Sequence, residues 1–143
     1  MVKQRLERDF VNAMKKDGML YILKLYHVMG RYTTTPADFI VLTENYKYLV
    51  ECKECRGKAF IYERLTQKQE LLEFKNYHYN NIGLILFCFW NKSRKSSIYY
   101  LIPIELWSKI EGLNGKKSMN IGEFEENFPE YKVDIDEINS KFI

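Results

Sequence analysis

The chain has 143 residues, 46% apolar and 29% charged, enough apolar material to bury a core and too much for disorder. Its most apolar run, Ile82 to Trp90, is far too short to span a bilayer, and its charged, amphipathic N-terminus is not a secretory signal. The net charge of +3 is too modest to indicate nucleic acid by itself, and three cysteines, an odd number without an export signal, argue for a reducing, intracellular compartment.

From Val2 to Lys16 the apolar residues Val2, Leu6, Phe10, Ala13 and Met14 recur at the spacing of an amphipathic helix. Asp17-Gly18 ends it, with Lys15 and Lys16 in the last turn, where the helix dipole favours cations. Met19 to Val28 reads as a strand and Gly30 to Pro36 as a polar loop. A strand from Ala37 to Leu42, a hairpin around Thr43-Glu44-Asn45 and a return strand from Tyr46 to Lys53 follow, then a turn at Arg56-Gly57-Lys58.

Thr66 is placed to cap a helix, with Gln69 three residues on as a capping box requires, and Leu71, Leu72 and Phe74 give it an apolar face to about Tyr79. Ile82 to Trp90 has the continuous apolar character of a central strand covered on both sides. Ile98 to Ile102 reads as another strand, and Pro103 opens a short helix through Ile110 at the N1 position. Beyond Gly112 short elements alternate with polar links. The order α-β-β-β-α-β-β-α predicts an α/β fold, one mixed central β-sheet flanked by helices. No repeat or linker divides it, so residues 1–143 are expected to form a single domain.

Chemistry concentrates at Pro36-Ala37-Asp38 and Glu51-Cys52-Lys53. Twelve residues separate Asp38 from Glu51, which suits a strand, a hairpin and a return strand, and brings the start of one strand beside the end of the next. Glu51 and Lys53 are two apart and leave the same face. Two carboxylates and an amine at that place can hold Mg²⁺, or Mn²⁺ in its stead, against a phosphodiester and orient an attacking water. The backbone carbonyl of Cys52 is a candidate third ligand. A plain surface hairpin would not bury charges inside Tyr48-Leu49-Val50-Glu51-Cys52, because charges there are costly unless paired or liganded.

Pro-x-Asp, a dozen residues and Glu-x-Lys together resemble the PD-(D/E)xK nucleases, and most closely the Holliday-junction resolvases of the Hjc and RecU types. The resemblance covers roughly the first ninety residues and implies a restriction-endonuclease-like core. It implies that Glu7, within Leu6-Glu7-Arg8 on the first helix, completes the metal site, with Asp9 a less well-directed alternative. It also implies a glutamine near the nucleophile at the start of the second helix. Gln67 sets Leu71 and Phe74 at the family's apolar offsets, whereas Gln69 fits the capping box, and both stay candidates. The loop before Asp38 is similar to one that approaches the cut strand in the archaeal resolvases, which makes Thr33, Thr34, Thr35 and Arg31 candidate DNA contacts. RecU inserts a long stalk before its Asp. This chain has no room for one, so the compact Hjc arrangement fits better.

Basic clusters at Arg56 with Lys58 and at Lys92, Arg94 and Lys95 supply further candidate phosphate contacts. Cys52-x-x-Cys55 invites a zinc or redox reading, but only Cys88, His27 and His78 remain as partners, and the two cysteines should face opposite sides of a strand. The expectation is a Mg²⁺-dependent endodeoxyribonuclease cutting branched or duplex DNA, most specifically a Holliday junction resolvase active in DNA recombination and repair. A two-fold homodimer is expected for a junction with two equivalent cut strands, with apolar interface residues sought between Ile98 and Trp107. No membrane association is expected. The localisation expected is cytoplasmic and nucleoid-associated, and the small size suits a phage or other mobile element. The alternatives are a restriction- or repair-type nuclease acting on duplex, flap or end substrates, and a DNA-binding relative that no longer cuts.

Overall fold

The computed structural model describes residues 2–16, 21–25, 36–55, 57–91 and 96–142. Helix α1 (Val2–Met14) opens the chain. Its apolar stripe of Leu6, Phe10, Ala13 and Met14 is buried, as the spacing requires. Strands β1 (Tyr21–Lys24), β2 (Phe39–Leu42) and β3 (Lys47–Cys55) follow as an antiparallel meander. The β2–β3 turn closes through Thr43, whose Oγ1 accepts the Tyr46 amide at 3.0 Å, at the expected hairpin. Strand β4 (Ala59–Ile61) and a 3-10 turn (Tyr62–Arg64) lead to α2 (Lys68–Tyr77).

Strand β5 (Asn81–Phe89) then returns parallel to β3, and β6 (Ile98–Pro103) pairs antiparallel with it. Helix α3 (Ile104–Asn114) ends at Gly115, whose φ of 68° is the left-handed conformation that glycine adopts without steric cost. Strand β7 (Ser118–Asn120), helix α4 (Ile121–Asn127), strand β8 (Lys132–Val133) and 3-10 turns at Pro129–Tyr131 and Ile135–Lys141 complete the chain. The main sheet has the order β1-β2-β3-β5-β6-β8, while β4 and β7 form a separate two-stranded sheet. The architecture is the mixed α/β sheet flanked by helices that the element order predicts.

Two cores lie on the two faces of the sheet. On one side α1 and the C-terminal 3-10 turn cover Phe39, Val41, Val50, Cys52, Leu84 and Leu86, with Phe10 and Phe39 ring centroids 5.2 Å apart. On the other, α2, α3 and α4 cover Leu49, Cys55, Ile85, Phe87 and Ile102. There Phe87, Trp107 and Phe124 pack with ring centroids 4.7 to 5.6 Å apart. Residues 49 and 55 of β3 thus share one face, residues 50 and 52 the other. By strand alternation Glu51 and Lys53 belong to the α2–α3 side.

Several boundaries differ from expectation. The strand expected from Met19 to Val28 is observed as Tyr21–Lys24, with 17–20 and 26–28 outside the described residues. The capping box expected at Thr66 does not form. Gln67 is the N-cap of α2, with no side-chain cap hydrogen bond, and Gln69 Nε2 instead donates to Glu73 Oε1 at 3.1 Å. A capping box does form where the sequence reading placed none, between Asn120 and Glu123 on α4. Pro103 is the N-cap of α3 rather than its first residue. The interface sought between Ile98 and Trp107 is also corrected. Tyr99, Tyr100, Leu101, Ile102, Ile104 and Trp107 are buried in the two cores, because the sheet and α3 consume their apolar area within the chain.

Candidate active site

Asp38 stands one residue before β2, and neighbouring strands hold its backbone on both sides. Its N–H donates to Val50 O at 3.1 Å, and its carbonyl accepts from Leu25 N–H at 2.8 Å. Val50, the register partner of Phe39, also takes the Asp38 N–H, so the ladder is irregular at Asp38, and Asp38 lies against the Val50–Cys52 stretch of β3 that carries Glu51. The Asp38 side chain completes the ladder, since Oδ2 accepts the Cys52 N–H at 2.9 Å. In a strand the N–H and C=O of one residue point the same way, so the Cys52 carbonyl also points toward the β2 side, where Asp38 lies.

Glu51 is fully buried and Lys53 only 9% exposed. Lys53 Nζ lies 3.3 Å from Glu51 Oε2. A charged pair withdrawn this far from water carries a desolvation cost that packed apolar residues would avoid. Its place is beside the residue that Asp38 contacts, where the β2–β3 ladder ends, and function rather than stability accounts for such a cost there. The fit to a divalent ion rests on the donor chemistry. Adjacent carboxylates and a carbonyl facing the same strand edge are hard oxygen donors, the set that Mg²⁺ prefers and which one or two carboxylates suffice to anchor.

Glu7 is 8% exposed and lines a cleft of about 190 Å³ with Arg8, Val11, Asn12, Lys24 and Phe39. It reaches the sheet beside Phe39, one residue from Asp38, but on the α1 side. Among the described residues no group of three or more Asp, Glu, His or Cys side chains is gathered as a metal cage. Asp38, Glu51 and Glu7 are thus not gathered as a ready three-carboxylate cage. Asp9 is half-buried on the same helix.

The two candidate glutamines separate cleanly. Gln67 is half-buried, with Oε1 enclosed and without a hydrogen-bond partner among the described residues, whereas Gln69 is exposed and bonded along its own helix. Helix α2 crosses β5 at Gly83, where an added Cβ would meet Leu71 O at 3.0 Å. It runs opposite to β5, since Asn81 Nδ2 at the strand's start bonds Phe74 O at 2.9 Å. Gln67 is four residues before Leu71, about 6 Å along the helix, or about two strand residues. That is the level of Ile85, the register partner of Glu51.

Arg31, Thr33, Thr34, Thr35, Arg56, Lys92, Arg94 and Lys95 lie outside the described residues, as does His27. Lys58 is exposed just before β4. Cys52 and Cys55 sit in opposite cores and so do not form a joint site. Burial pushes the Cys55 thiol up to about 12, against a smaller lowering by Arg64, and pushes Cys88 up to about 12 as well. Neither is the thiolate that metal binding or redox exchange requires. A cleft of about 410 Å³ lined by Tyr46, Tyr48, Ile82 and Leu101 lies at the opposite end of β3 from Glu51 and Lys53.

The sequence reading missed Glu70, which shares a helix flank with Gln67 three residues earlier and has Oε2 enclosed without a hydrogen-bond partner. The i, i+3 spacing from Gln67 was the available signal. It carries meaning only once the facing of the helix is known.

A mixed sheet flanked by helices, with Glu51 and Lys53 on β3 and Asp38 just before β2, is the architecture that the motif led one to expect. Among solved structures the chain is similar to Archaeoglobus fulgidus Hjc, a Holliday junction resolvase from an archaeal hyperthermophile. The TM-score is 0.61 at 12% identity, with 95% of this chain and 98% of that one covered. Likeness at this identity establishes a shared fold along nearly the whole length of both chains. No protein-family model and no curated protein sequence matches the chain.

Proposed function

We propose that the chain is a metal-dependent endodeoxyribonuclease whose preferred substrate is a four-way DNA junction. The observation that carries this reading is the Asp38 carboxylate on the amide of Cys52, the residue between the buried and ion-paired Glu51 and Lys53, in a fold shared with a junction resolvase. Asp38 and Glu51, with the Cys52 carbonyl, would hold Mg²⁺ or Mn²⁺. When bound, the ion supplies neutralisation of the scissile phosphate and a more acidic water. Lys53 stabilises charge developing on the phosphate oxygens, and its Glu51 contact fixes the ammonium in place for that role. Gln67 offers a carbonyl oxygen to orient the attacking water from the α2 side.

Two equivalent cut strands call for two symmetry-related sites, so the active species is a two-fold homodimer. An enzyme of this kind works inside the cell, on the DNA of its host or of a mobile element. The test compares cleavage of a synthetic four-way junction, linear duplex, flap and single-stranded DNA, each with Mg²⁺ and with chelator. Paired, symmetric nicks on the junction alone, dependent on the ion, are expected. Equal cutting of linear duplex or flaps would assign the restriction- or repair-type activity instead. Binding without cutting under all conditions would mark a non-cleaving relative.

A further inference from the structure

Helix α2 has a flank that the proposed chemistry leaves unexplained. Lys68 forms an ion pair with Glu111, and Lys75 Nζ lies 3.5 Å from Glu105, both acids on α3. Those contacts fix one flank of α2 against α3, which itself lies over β5 and β6 through Ile104 and Trp107. The other flank, carrying Gln67, Glu70 and Phe74, is therefore turned toward β3. On that flank Gln67 Oε1 and Glu70 Oε2 are both enclosed, and neither has a hydrogen-bond partner among the described residues. Two enclosed acceptors without a donor are an anomaly in a folded protein. Gln67 stands at the level of Ile85, the register partner of Glu51 on the same face of the sheet, and Glu70, near the level of Gly83 and Leu84, has its Cα–Cβ bond tilted toward the helix N-terminus and so toward Gln67.

A small divalent ion held by only two protein carboxylates keeps several waters, and those waters are donors that need acceptors. Given the metal site of Asp38 and Glu51, on which it depends, we propose that Glu70 is a positioning residue for that site. With Gln67 it accepts hydrogen bonds from the ion's retained waters. Glu70 touches neither ion nor phosphate directly. Its carboxylate raises the affinity for the hydrated cation and fixes the water that Gln67 and Lys53 face. The two enclosed oxygens then gain the donors they lack.

The experiment is a calorimetric Mn²⁺ titration of the DNA-free protein and four variants, Glu51→Gln, Glu70→Gln, Glu70→Asp and Glu111→Gln. Circular dichroism checks the fold of each. Expected are loss of Mn²⁺ binding in Glu51→Gln, binding weakened about tenfold in Glu70→Gln, and wild-type binding in Glu111→Gln. Glu70→Asp keeps the charge and withdraws the oxygens, so it too is expected to weaken binding, and it carries the test if the glutamine variant fails to fold. Wild-type affinity in both Glu70 variants, with Glu51→Gln inactive in binding, would overturn the role of Glu70 and leave the metal site standing. Equal weakening by Glu111→Gln would overturn it also, since general charge would then suffice. Wild-type Mn²⁺ binding by Glu51→Gln, or none by the unmodified protein, would sink the metal site and Glu70's role with it.

Discussion

The Asp38 carboxylate accepts the Cys52 amide proton at 2.9 Å, so one side chain serves both as a strand-ladder partner and as a candidate metal ligand. The two duties separate by mutation. Asn keeps an oxygen at the same place but loses the charge, whereas Ala leaves the buried amide unsatisfied at a cost of about 1–3 kcal/mol. Asp38→Asn is therefore expected to unfold in urea near the wild-type midpoint while single-turnover nicking falls at least about 100-fold. Asp38→Ala should lose both stability and nicking. Undiminished cleavage by the Asn variant would remove Asp38 from the reaction.

The buried Glu51–Lys53 pair predicts opposite signs for single and double replacements. Lys53→Met alone removes the ammonium from beside the buried Glu51 carboxylate and is expected to cost about 3–5 kcal/mol. Glu51→Gln with Lys53→Met removes both charges at similar volume, and should recover most of that loss while staying inactive. Urea denaturation with a nicking assay reads both quantities. A double variant no more stable than Lys53→Met would show that the pair is not the site's main electrostatic cost.

Gln67 and Gln69 should part company in kinetics. Gln67→Ala is expected to lower the single-turnover rate with little change in junction affinity, since its enclosed oxygen lies at the level of Glu51. Gln69→Ala should leave rate and affinity unchanged, its side chain being exposed and bonded to Glu73. The reverse outcome would reassign the helix.

At Gly83 α2 and α3 both pack closely on the sheet. An alanine there would bring its Cβ to 2.9 Å from Ile104 Cγ2 and 3.0 Å from Leu71 O, and the backbone oxygen cannot simply rotate away. Gly83→Ala is expected to destabilise the protein by about 1–3 kcal/mol. A midpoint in urea at or above the wild type would contradict the packing described for α2.

Cys55 and Cys88 predict an alkaline loss of stability. Both thiols are raised in the folded state from 9.0 to about 12, chiefly by burial. The unfolded chain therefore loses these protons first, and stability is complete below about pH 9 and falls as pH rises toward 12. Denaturation midpoints measured between pH 8 and 11 should decline, and less steeply in Cys55→Ala with Cys88→Ala. A pH-independent midpoint, or rapid thiol labelling of the native protein at pH 8, would show that the two are not buried as described.

Much of the site was legible because its signals are local. A period of two put Glu51 and Lys53 on one face and Cys52 on the other, and the hairpin length put Asp38 near Glu51. The same local logic gave the stripe of α1 and the central strand, expected from Ile82 to Trp90 and observed as Asn81–Phe89. It misplaced the start of α2. A capping box at Thr66 satisfies local hydrogen bonding, but the ion pairs from Lys68 and Lys75 to α3 and the close packing on Gly83 set the helix in a different register.

Short-range patterns are written residue by residue, because strand pleat, helix pitch and turn chemistry act over only a few positions. They were enough for the fold class, the order of most elements and the core trio of charges. Which flank of α2 looks toward β3, that Glu70 belongs beside Gln67, that Glu7 arrives on the far side of the sheet, and that Tyr99 to Trp107 are interior were decided only by the chain closing on itself. Those facts depend on contacts between segments distant in sequence, where the free energy of packing, summed over many partners, overrides what any single window prefers.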